Sequence, residues 1–208
     1  MDWSEPAAAV VPSLDGAVLD VLASTTRPLT GRDVARLARR GSPAGVSNVL
    51  NRMVDQGLVT VSSAGMSNLY TLNHDHVATP AVLALQDLRG EAFARIRKAM
   101  NSWDPPPVAA AVFGSAARGD GGVDSDVDLL VIRPADTRDD DPNWSGQVDA
   151  LAQSVRRWTG NAASIIQLTP AEMTDMLDRK ERIVQELRKV KVALTVTDVL
   201  DLGAEEFE

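Results

Sequence analysis

No cysteine occurs among the 208 residues, which excludes a disulfide and a thiolate-bound metal and fits a reducing cytoplasm. No basic-then-apolar segment opens the sequence, and no apolar run reaches the length of a membrane span. The expectation is a soluble cytoplasmic protein with no membrane partner. No internal repeat is visible. Positive charge is scarce in one half. Residues 1–80 carry six arginines against seven acids, whereas residues 104–208 carry eleven basic against twenty acidic side chains. The acidic half is a poor surface for a polyanion, so a long nucleic acid would meet the first half. The length suits one large or two small domains with real apolar cores.

The first thirteen residues are rich in Pro and Ala without periodicity and read as a loose arm. Leu14, Val18, Val21 and Leu22 recur at helical spacing. Thr30 is placed to cap a second helix from Gly31 to Arg39, and Ser42 with Pro43 opens a third that runs to about Gln56. Leu58–Val61 and Asn68–Leu72 then flank a turn as a hairpin. Three short helices and a hairpin resemble a winged helix-turn-helix domain, with residues 42–56 as recognition helix. Between Arg27 and Arg52 stand six arginines and one acid, Asp33. This resemblance assigns phosphate contacts to Arg39 and Arg40, and base-edge positions to Ser47, Asn48, Asn51 and Arg52. The hairpin has no Lys or Arg between Leu58 and Leu72, so a winged helix used for protein contacts stands beside the DNA-binding one. His74 and His76 flank Asp75 and read as capping or solvated groups at a domain edge. Thr79 to Trp103 carries an apolar stripe and reads as one long connecting helix.

Ala109–Phe113 is an apolar strand that stops at Gly114-Ser115, where glycine permits a tight turn and a small hydroxyl can face a ligand. Asp126-Val127-Asp128 opens a second strand ending in Leu-Leu-Val-Ile. A period of two puts the two carboxylates on one face, roughly 6.5 Å apart. Such a pair repels itself unless a hard divalent cation sits between its oxygens. The run Asp139-Asp140-Asp141, by contrast, reads as a solvated loop. A helix over Trp144–Thr159, a third strand over Ala162–Leu168 and helices over residues 171–177 and 179–190 complete the pattern.

Gly114-Ser115-x-x-Arg118-Gly119 followed by Ser125-Asp126-x-Asp128-Leu resembles the DNA polymerase β-type nucleotidyltransferase superfamily, in its small bacterial minimal nucleotidyltransferase branch. The resemblance covers residues 108–170. It implies that Asp126 and Asp128 are catalytic ligands of Mg²⁺ or Mn²⁺. It also implies that Gly114 and Ser115 hold the NTP phosphates and that Arg118 neutralises their charge. The family's third carboxylate is missing from the third strand, whose sequence is Ala-Ser-Ile-Ile-Gln-Leu. Gln167, Glu172 and Asp175 are the candidates to replace it.

The resulting expectation is an α+β chain in which residues 1–78 form a winged helix-turn-helix and residues 79–104 a long connecting helix. Residues 105–208 form a polymerase β-like nucleotidyltransferase palm, a small mixed sheet with helices. Its function would be Mg²⁺-dependent transfer of NMP from an NTP to a hydroxyl of protein, RNA or a small molecule. The alternative is a DNA-binding transcriptional regulator, or toxin–antitoxin component, whose degenerate palm senses nucleotide or dimerises.

Overall fold

A computed structural model describes residues 1–203 of the chain. They divide into two compact units, one of residues 5–89 and one of residues 1–4 together with residues from 90 onward.

In the first unit, α1 (Leu14–Ala23), α2 (Gly31–Ala38) and α3 (Pro43–Asp55) precede a small antiparallel sheet. Its strands β1 (Leu29–Thr30), β2 (Val59–Ala64) and β3 (Ser67–Leu72) lie in the order β1-β3-β2. Both expected N-caps form: Thr30 Oγ1 accepts from Asp33 N at 3.1 Å and Ser42 Oγ from Gly45 N at 3.1 Å. Val18, Leu22, Val34, Val46, Leu50 and Leu72 fill the core between helices and sheet. The stretch expected to form one connecting helix is two, α4 (Thr79–Gln86) and α5 (Leu88–Met100). Asp87 leaves helical geometry at φ −95° and ψ 17°. Asp87 and Gly90 are both poor helix formers, and the apolar stripe alone does not reveal the break.

In the second unit, β4 (Ala109–Phe113) leads into a one-turn helix, α6 (Gly114–Arg118). Then follow β5 (Val127–Ile132), α7 (Pro142–Thr159), β6 (Ala163–Leu168), α8 (Pro170–Asp178), α9 (Arg182–Lys189) and β7 (Val192–Ala193). The sheet order is β6-β5-β4-β7, with β5 and β6 parallel and the other pairs antiparallel. The parallel pair is joined through α7, as a parallel connection requires. Each face of the sheet is covered. Val112, Val127, Leu129 and Val131 pack with Ile96 of α5 and Trp144 and Leu151 of α7. Phe113, Leu130 and Ile132 pack instead with Met173 of α8 and Val184 and Leu187 of α9. Asp128 stands on the second of these faces, since Val127 and Leu129 are committed to the first.

The first residues are not a loose arm. Trp3 is 1% exposed and stacks on Phe93 with ring centroids 5.7 Å apart. Its backbone N–H donates to Gly121 O at 2.7 Å. A Pro- and Ala-rich stretch has no periodicity to betray this, because one aromatic side chain carries the anchoring. Asp141, the last of the acidic run, caps α7 by accepting from Asn143 N and Trp144 N, both at 2.9 Å.

Candidate active site

The antiparallel register of β4 and β5 sets Phe113 opposite Asp128. The next residue, Gly114, has φ +68°, and a Cβ built on it would lie 2.2 Å from Asp128 Oδ2. Glycine is therefore required twice at this position, once for its left-handed backbone and once for the space that the carboxylate occupies. Asp126 is exposed just ahead of β5, and Asp128 is half-buried within it. Burial raises the Asp128 carboxyl above the usual range, and the Asp126 carboxylate raises it further, while the Arg118 guanidinium opposes both. The two acids thus interact as like charges at the open end of a buried strand.

The loop from Gly119 to Ser125 folds back across the Gly114-Ser115 turn. Gly119 turns in the left-handed region at φ 77°. Gly121 passes so close that a Cβ there would stand 2.7 Å from Ser115 Oγ. Gly122 N donates to Ser125 Oγ at 3.0 Å, closing the loop just before Asp126. Arg118, at the end of α6, donates from Nε to Asp120 Oδ2 at 3.1 Å and from Nη1 to Glu186 Oε2 at 3.5 Å. Asp120 is the main reason that its pKa is raised, with smaller contributions from Glu186 and Asp128. The structure therefore gathers Gly114, Ser115, Arg118, Asp126 and Asp128, and adds Glu186 of α9. The sequence shows Glu186 only as one charge on a mixed-charge helix.

The three candidates for a further acid lie elsewhere. Gln167 pairs in register with Val131, and its Oε1 accepts from Trp144 Nε1 at 2.7 Å. That is the α7 side of the sheet, opposite to Asp128. Glu172 is held in a capping box at the start of α8, accepting from Thr169 N at 2.7 Å and Thr169 Oγ1 at 2.8 Å. Asp175 pairs with Arg179 at 3.6 Å on the exposed side of α8. The residue facing Asp128 across β6 is Ser164. Among the described residues, no three His, Cys, Asp or Glu side chains gather as a metal site of that size needs. The pair itself still fits a hard divalent cation. Its donors are carboxylate oxygens that repel one another, and the Gly114 cradle leaves Asp128 Oδ2 the room that a side chain would fill.

In the first unit, Ser47, Asn48 and Asn51 are exposed together on α3. Arg40 is paired with Glu5 at 2.9 Å and Arg52 with Asp15. Arg39 ends α2 in the left-handed region at φ 51°. A cavity of about 700 Å³ opens where α2, α3 and β3 meet, lined in part by Arg32, Arg36, Ser47 and Tyr70. His76 Nδ1 accepts from Ala78 N at 3.2 Å, a local turn contact.

Residues 93–197 match the family model described as nucleotidyltransferase domain. No curated protein matches the sequence. Among solved structures, a similarity is found to the crystal structure of human N-acetylserotonin methyltransferase in complex with SAM. It has 20% identity over 45% of this chain and 31% of that one, with a TM-score of 0.28. An overlap so slight bears on neither fold nor activity.

Proposed function

We propose, from the premise that the chain belongs to the nucleotidyltransferase domain family, that it moves a nucleoside monophosphate from an NTP to an acceptor hydroxyl on protein, RNA or a small molecule. The observation that carries this reading is the close approach of Gly114 to Asp128, which sets the Gly114-Ser115 turn beside a repelling carboxylate pair. Asp126 and Asp128 would hold Mg²⁺ or Mn²⁺, which when bound supplies neutralisation of polyphosphate charge. The Ser115 hydroxyl and the turn's backbone N–H groups orient the phosphates. Arg118 exchanges its Asp120 and Glu186 partners for phosphate oxygens. The acceptor oxygen forms a bond to the α-phosphorus while the bond from that phosphorus to the pyrophosphate oxygen breaks. The acceptor's proton passes to solvent. The protein's share in the rate is positioning and charge cancellation.

The test is incubation with each α-labelled NTP, Mg²⁺ or Mn²⁺, and cell extract as acceptor. The parent fixes label to macromolecules or small products, and Asp126→Asn combined with Asp128→Asn fixes none while melting as a folded protein. Equal labelling by the double variant, or no label from the parent under any condition, removes the reading.

A second reading concerns residues 5–89, as a winged helix-turn-helix that binds duplex DNA. It is favoured by the arginine-lined cavity beside the exposed polar face of α3. With Arg40 and Arg52 engaged by acids distant in sequence, and Arg36 in an exposed pair with its near neighbour Asp33, phosphate contacts fall chiefly to Arg32, Arg36 and Arg39. A nucleotide-sensing or dimerising palm serving such a regulator is the form this reading takes if no transfer is found.

A further inference from the structure

Asn161 is 2% exposed, and its side-chain amide is fully engaged. Nδ2 donates to Ser125 O at 2.9 Å and to Val123 O at 3.1 Å, while Oδ1 accepts from the Met1 nitrogen at 2.7 Å. Asn161 is itself fixed, since its backbone N–H donates to Thr159 Oγ1 at 3.1 Å just beyond the Gly160 turn that ends α7. One residue later, Ala162 O accepts from Val127 N at 2.8 Å. Asp126 is therefore bracketed on both sides. The carbonyl before it is held by Asn161, and the N–H after it is held by Ala162. The same amide holds the loop that covers Ser115. A buried side chain that satisfies two carbonyls of a glycine-rich loop contributes little apolar packing, so its main effect is on where that loop sits.

We infer that Asn161 is a positioning residue for the carboxylate pair, acting through the backbone of residues 123–125 to set Asp126 where it shares a divalent cation with Asp128. This rests on the reading of that pair as a cation site. Outer contacts that orient metal ligands typically change affinity by roughly 10–100-fold when removed. Asn161→Asp keeps the size and the Oδ1 acceptor but turns the donor into an oxygen facing two carbonyls. Ser125→Ala leaves Asn161 intact and cuts the loop's inner bond to Gly122 N.

The experiment titrates Mn²⁺ alone into the full-length protein, following free Mn²⁺ by its electron paramagnetic resonance, with hydrogen exchange of the loop amides measured in parallel. Asn161→Asp is expected to weaken Mn²⁺ binding about tenfold or more with faster exchange at residues 122–127 and an unaltered exchange pattern in β4. Excess Mn²⁺ is expected to restore NTP binding, and the unaltered exchange in β4, measured without metal, separates this from metal-driven refolding of an unfolded fraction. Ser125→Ala is expected to show the same effects to a smaller degree. Parent-like Mn²⁺ affinity in whichever of the two variants is folded overturns the inference. Absence of Mn²⁺ binding by the parent, matched by the Asp126→Asn and Asp128→Asn double variant, overturns the cation-site reading itself and the inference with it.

Discussion

Gly114 and Asp128 constrain each other, and two substitutions separate what each contributes. Gly114→Ala forces a side chain into the left-handed region, which costs about 1–2 kcal/mol from the backbone alone, and sets its Cβ against Asp128 Oδ2. Thermal unfolding should register that loss, and Mn²⁺ titration should show the Asp128 ligand displaced. Asp128→Asn works in the opposite direction. Burial and then the Asp126 carboxylate both disfavour its charged form, so replacing the carboxyl by an amide relieves repulsion in the metal-free fold. The variant should melt above the parent without divalent cation. Adding Mg²⁺ should raise the parent's melting temperature and leave the variant's unchanged. A variant that melts below the parent in chelator would contradict the like-charge account.

Elements decide which polar residues can reach that pair. The motif Gly114-Ser115 with Asp126-x-Asp128 was legible because its spacing and its flanking apolar runs are local. Strands β2 to β6, the caps at Thr30 and Ser42 and the inward face of α1 were legible for the same reason, whereas the two-residue β1 was not. The side on which Gln167 lies was not. Whether a residue of β6 shares a face with Asp128 depends on the parallel register, Val131 with Gln167 and Asp128 with Ser164, which only the long connection through α7 fixes. The Trp3 anchor, the break at Asp87, β7 and the approach of Glu186 are similarly long-range or single-residue effects without a periodic signature. Gln167→Glu should accordingly leave Mn²⁺ affinity unchanged and lower stability, since it places a charge on the Trp144 side of the sheet. Glu172 belongs to the stability of α8. Thr169→Ala should cost about 1 kcal/mol as a lost N-cap. The Thr169 backbone N–H, and then its hydroxyl, hold the Glu172 carboxyl below its usual range. A depressed acid stabilises the fold above its unfolded value and loses that contribution as pH falls through the folded one. Glu172→Gln should thus be less stable than the parent at pH 7, with the difference fading below about pH 4. Urea unfolding at the two pH values measures it.

At the scale of the whole molecule, the distribution of charge decides what the chain can bind. A net charge of −8 concentrated after residue 104 opposes non-specific attraction to a polyanion, so DNA affinity must come from a few arginines in residues 27–52. Two of the six are engaged by acids distant in sequence, Arg40 by Glu5 and Arg52 by Asp15. Substituting those two would disturb local ion pairs before it removed a phosphate contact. Arg32 and Arg36 line the cavity beside Ser47, and Arg36 is tied only to Asp33 at 3.3 Å on an exposed surface, a pair of little strength. Each arginine that meets a phosphate releases about one counterion. Arg32→Ala combined with Arg36→Ala should therefore weaken binding to duplex DNA and reduce the slope of log affinity against log salt by about 2. Arg40→Ala combined with Arg52→Ala should change that slope less and lower thermal stability more. Fluorescence anisotropy with a labelled duplex, titrated between low and moderate salt, distinguishes the two pairs. A flat titration at low salt with folded parent protein removes the DNA-binding reading of residues 5–89. Label transfer from an NTP, if it persists in that same preparation, shows that the chemistry of the Asp126–Asp128 pair does not depend on DNA.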